Sequence, residues 1–91
     1  MAKATRNVIV GSRIGLHARP ASIFVQAAGA TGHRVIITKA NGDDADAASI
    51  LSVLALAVAH GESLTLEVEG DNAEAVADEL AGLLVSDLDA L

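Results

Sequence analysis

The stretch Gly15-Leu16-His17-Ala18-Arg19-Pro20-Ala21 decides how this chain is read. It places a histidine, a guanidinium and a proline where a loop gives way to a helix. Proline suits the first helical turn, because the N–H it lacks has no intrahelical partner there. Amides of a first turn point outward and attract anions. An imidazole nitrogen is a nucleophile toward phosphorus. An arginine two residues on offers a fork of donors to phosphate oxygens. His17 and Arg19 therefore suit a site for a phosphoryl group, with the backbone of Ala18 and Arg19 as its cradle. The competing readings are a solvated or capping histidine and a solvated surface arginine.

Working outward, Ala4 to Val10 reads as a strand with Val8 and Val10 on one face, and Gly11 to Leu16 as a loop. A helix is expected from Ala18 to Ala30, with Ala21, Phe24, Val25 and Ala28 on its buried face and Gly32 ending it. Arg34 to Ala40 reads as a second strand, and Asn41-Gly42 as a hairpin turn. The following strand, Asp43 to Ala47, has three aspartates and no β-branched residue, which predicts a short edge strand. Ser49 is the expected N-cap of a second helix that His60-Gly61 closes. Its buried stripe is Ile50, Val53, Leu54 and Ala57, with Leu51, Ala55 and Val58 off that stripe.

Ser63 to Glu69 alternates cleanly, with Leu64, Leu66 and Val68 facing inward. Asp71-Asn72-Ala73-Glu74 resembles a capping box that starts a third helix with Ala73, Val76, Ala77, Leu80 and Leu84 on its core face. The tail from Ser86 to Leu91 is expected to fray. For the order β-α-β-β-α-β-α the economical solution is an α+β fold in which helices cover one face of a four-stranded antiparallel sheet, which periodicity alone does not separate from other ferredoxin-like domains.

The 91 residues fit a single domain, 1–91, and 52% of them are apolar. Phe24 is the sole aromatic residue, so Val, Ile, Leu and Ala must build the core. The absence of cysteine excludes disulfides and thiolate metal sites. No apolar run approaches membrane-spanning length, and the start of the chain is polar, so cytoplasmic residence is expected. The net charge of −6 argues against nucleic-acid binding. Its distribution is uneven: all six basic residues precede Asn41 and all twelve acidic ones follow Gly42. Arg13 and Arg19 are thereby expected to keep a positive field beside His17.

The run Gly15, Leu16, His17, Ala18, Arg19, Pro20 resembles the active-site pattern of HPr, the histidine-containing phosphocarrier family of the bacterial phosphoenolpyruvate:sugar phosphotransferase system. The resemblance spans essentially the whole chain. It implies an open-faced β-sandwich and a phosphoryl group carried on Nδ1 of His17, with Arg19 aligning it. It also implies a stoichiometric relay rather than an enzyme, loaded by enzyme I and discharged to sugar-specific EIIA components, with no cofactor of its own. A regulatory paralogue that docks on a kinase, permease or transcription factor is the alternative.

The resemblance further implies that the first two helices present the docking surface. Ile50, Leu51 and Leu54 are candidates for it, Leu51 the best and Leu54 the most prone to be core, with Ile23 and Ser22 weaker. Ser49 corresponds to a serine phosphorylated in some family members, but its surroundings depart from the regulated pattern and favour the cap role alone. His33 and His60 read as exposed or capping residues, and the three histidines show no metal-ligand spacing. Nothing in the sequence demands more than a monomer.

Overall fold

The computed structural model describes residues 2–87. The elements are β1 (Lys3–Ile9), α1 (Ala18–Ala30), β2 (Arg34–Lys39), β3 (Asp44–Asp46), α2 (Ile50–Ala55), β4 (Ser63–Glu69) and α3 (Ala73–Val85). The strands form one antiparallel sheet in the order β1-β4-β2-β3, so β4 lies inside it and β3 at an edge. β4 pairs along its length with β1 and along most of it with β2, and its inward residues Leu64, Leu66 and Val68 are all buried. Leu66 sits opposite Ile37 on β2, and Ile37 opposite Ala45 on β3. Val68 lies between Ala4 and Val35. The helices bury this face, with Phe24, Ala21 and Ala28 from α1 and Ala77, Leu80 and Leu84 from α3.

The uneven charge along the chain is resolved by folding. Lys3 pairs with Glu67, Arg6 with Asp78, Arg13 with Asp87 and Lys39 with Glu62. Each pair joins the basic first half to the acidic second half. The exposed pairs contribute at most about 1 kcal/mol each. The Lys39–Glu62 pair is more sheltered, and Lys39 Nζ also donates to the Leu56 carbonyl at 2.9 Å. Glu62 accepts the Ala59 amide at 2.8 Å, and this bond chiefly holds its carboxyl below the usual range. Burial opposes the shift and Lys39 assists it.

Two expectations need correction. The second helix stops at Ala55, because Ala57 adopts a left-handed backbone (φ 53°) that ends helical bonding. Extending the helical period to Gly61 therefore assigned the wrong face. Val58 is buried rather than outside the core, and Leu56 joins it, whereas Ala57 is exposed. The capping box does not form either. Asn72, not Asp71, caps α3, and it does so in the left-handed conformation without a side-chain cap bond. Of the tail expected to fray, residues 88–91 lie outside the described residues; Ser86 is the cap of α3, extended, with its hydroxyl donating to the Gly82 carbonyl.

His33 explains the α3 start. It spans from the α1–β2 connection to the β4–α3 connection, with Nδ1 2.7 Å from the Thr31 carbonyl oxygen and Nε2 bonded to that of Asp71. A carbonyl only accepts, so both nitrogens must donate, which requires the imidazolium. These two bonds, that to Asp71 first, raise the His33 pKa above its ordinary value of 6.5. Gly70 (φ 146°) lies against the ring, where a Cβ would overlap it. A raised pKa contributes stability that is complete below the unfolded value and is lost as pH rises through the folded one. The domain is thus expected to lose stability as pH rises from about 6.5 through the raised folded value. Denaturant melts of the parent and His33→Gln across that range check this; parallel pH profiles would contradict it.

Candidate functional site

The site begins with the loop between β1 and α1. Ser12, Arg13, Ile14 and Gly15 form a turn closed by the Gly15 amide on the Ser12 carbonyl at 3.0 Å. Gly15 has φ 71°, and a Cβ there would overlap the Val58 carbonyl oxygen and sit 2.9 Å from the Ala59 Cα. The next amide, that of Leu16, donates to the Val58 carbonyl at 3.0 Å, and the Leu16 side chain is buried. A second segment thus lies against the loop over its length. The left-handed turn at Ala57 delivers that segment. It adds backbone bonds between Val10 and Glu62 and between Gly61 and Val10, and a third contact from His60, whose Nδ1 lies 3.0 Å from the Ser12 carbonyl oxygen.

With Leu16 anchored, His17 becomes the N-cap of α1. Its carbonyl accepts the Ala21 amide at 2.9 Å, the first bond of the helix, and Ala18 and Arg19 lie in the turn ahead of it. Pro20 is buried at a position where its missing N–H costs nothing. The His17 imidazole is exposed and makes no capping bond. His33 and His60 differ, since each holds Nδ1 against a carbonyl. His17 thus caps α1 through its backbone and not through its side chain, and that backbone fixes where the ring starts. Arg19 is exposed one helical step away. Arg13 is also exposed but is drawn 3.2 Å from Asp87, so its charge is shared rather than left whole for the site.

The helix-two residues are arranged partly as expected. Leu51 is 78% exposed, while Ile50 and Leu54 are each 37% exposed. Leu54 is thus not a core residue, whereas Val53, expected on the same stripe, is fully buried. Ile23 is half-buried on α1, and α1 packs beside α2. Ile14, in the turn before His17, is exposed as well and was not singled out by periodicity, since it lies in no helix. Ser49 caps α2, its Oγ accepting the Ser52 amide at 3.3 Å.

The family model described as "PTS HPr component phosphorylation site" matches residues 4–86. The chain belongs to the HPr family. It is 50% identical over 88 residues to the phosphocarrier protein HPr of Streptomyces coelicolor, covering 97% of this chain and 95% of the relative. It is 48% identical over 80 residues to HPr of Haloferax volcanii, covering 87% and 90% respectively. The crystal structure of HPr from Bacillus anthracis superposes with a TM-score of 0.86 at 34% identity, over 92% of this chain and 99% of that one. An open sheet covered on one face by three helices is thus the HPr architecture, and this chain is a phosphocarrier-family domain. Among the described residues no helix is long and apolar enough to cross a membrane.

Proposed function

We propose that this domain is a phosphoryl relay of the sugar phosphotransferase system, charged at His17 by enzyme I and discharged to EIIA components. One observation carries the assignment to His17: of the three histidines, His33 and His60 commit Nδ1 to carbonyl oxygens, while the exposed His17 ring makes no capping bond. Nucleophilic attack needs a lone pair on the attacking nitrogen. A ring whose Nδ1 carries a proton into a carbonyl has none to offer there.

In the step, the Nδ1 lone pair of His17 forms a bond to the phosphorus of the donor's phosphohistidine. The donor's P–N bond breaks in line, and its electron pair returns to the donor imidazole. The His17 proton stays on Nε2. Negative charge then lies ahead of the first turn of α1, where the helix dipole favours it. Discharge reverses the geometry with an acceptor histidine in the donor's place, so the domain is the product of one transfer and the substrate of the next, a stoichiometric relay rather than an enzyme. Leu51, flanked by Ile50 and Leu54, supplies the apolar part of a docking face, with Ile23 beside it. Ser49 acts as a helix cap alone. No resident cofactor takes part, and the relay works in the cytoplasm.

Arg19→Ala is expected to slow transfer from enzyme I about tenfold, because a charge-assisted fork is lost from an exposed, solvent-screened site. Stability should fall by about 1 kcal/mol or less, since any contact of this exposed side chain is screened by solvent. Quench-flow phosphorylation beside a thermal melt checks both. An unchanged rate would remove Arg19 from the mechanism.

A further inference from the structure

We infer that His60 is a positioning residue for transfer at His17, a role that rests on His17 being the phosphoryl acceptor. The Ser12 carbonyl receives two donors: the Gly15 amide within the turn, and Nδ1 of His60 from 48 residues away. Ser12 itself is buried, so water is poorly placed to substitute for the second donor. The turn that these bonds close ends at Gly15, two residues before His17. On its other side Gly15 lies so close to the Val58 carbonyl and Ala59 backbone that a Cβ there would overlap them. Leu16 is then tied to the same Val58 carbonyl.

The start of α1 is therefore held at two points by one segment, residues 58–60. One point is backbone, Val58 to Leu16, and any residue could make it. The other is a side chain, and it is His60. Donation from Nδ1 to the Ser12 carbonyl ties the ring to the loop, so His60 fixes geometry. Phosphoryl transfer between two imidazoles depends on in-line alignment, and a loosened nucleophile lowers the rate of the step rather than the affinity for the donor.

The test compares the parent, His60→Ala and His60→Asn, the last because an asparagine amide can donate from near the place of Nδ1. Quench-flow phosphorylation by phosphorylated enzyme I gives kcat and KM, and hydrogen exchange gives the protection of the Gly15 amide. His60→Ala is expected to lower kcat about fivefold with KM unchanged, the loss of one hydrogen bond's worth of order. Gly15 exchange should speed up by a similar factor. His60→Asn should restore both to within about twofold. A parent-like kcat in His60→Ala overturns the role, as does an Asn variant no better than the Ala variant. A parent domain that takes no phosphoryl group overturns the His17 reading instead, and is told apart because it fails before any variant is compared.

Discussion

His17→Ala is expected to give a folded domain that accepts no phosphoryl group at all. The folding half of that expectation follows from the cap geometry. The His17 side chain makes no cap bond and lies in solvent, so its removal should shift stability by about 0.5 kcal/mol or less. The chemical half follows from the other two histidines. His33 is locked between the Thr31 and Asp71 carbonyls, and His60 is held on Ser12. Neither can turn Nδ1 to a donor without breaking those bonds. Phosphate should therefore not migrate to Nδ1 of a substitute ring. Incubation with phosphoenolpyruvate and enzyme I, followed by intact mass measurement, checks this. Acid-labile phosphate on the variant would contradict it.

The second large effect is expected at Gly15. Gly15 and Gly32 share φ 71°, yet their surroundings differ. A Cβ on Gly32 meets nothing within 4 Å, whereas one on Gly15 would overlap the Val58 carbonyl. Gly32→Ala therefore bears only the left-handed penalty, about 1 kcal/mol. Gly15→Ala must also push the 58–60 segment away and open the Leu16–Val58 bond, for about 3 kcal/mol in all. In a domain of this size that difference separates the melting temperatures by about 10 °C. Phosphoryl acceptance should fall in Gly15→Ala even where it is folded, and stay near parental in Gly32→Ala. Equal melting temperatures for the two variants would show that the close approach at Gly15 does not matter.

The elements set by local pattern were legible in the chain. The alternation of Ser63–Glu69 and the spacing of Ala21, Phe24 and Ala28 gave β4 and α1 with their bounds, and the aspartates of β3 placed it at an edge. His17 and Arg19 stood out because their chemistry is local to one turn. What periodicity missed depends on backbone conformations and on distant partners. Alanine at position 57 carries no sign that it will be left-handed, yet that one residue ends α2 and turns Val58 into the core. Asn72 displaces the expected capping box in the same way. His33 and His60 looked idle because their partners lie 38 and 48 residues away in sequence. In the folded domain both are braces, one at each end of α1: His33 bonds beyond its last turn, and His60 at the loop that leads into its first.

Phosphoryl carriage by His17 is tested by charging the unmodified domain with enzyme I and phosphoenolpyruvate and locating the phosphoryl group by phosphorus and nitrogen NMR. One phosphoryl group per chain is expected, labile to acid, on Nδ1 of His17, and lost on adding an EIIA acceptor. A domain that stays unphosphorylated, or that carries the group on His33, His60 or a serine, would contradict it.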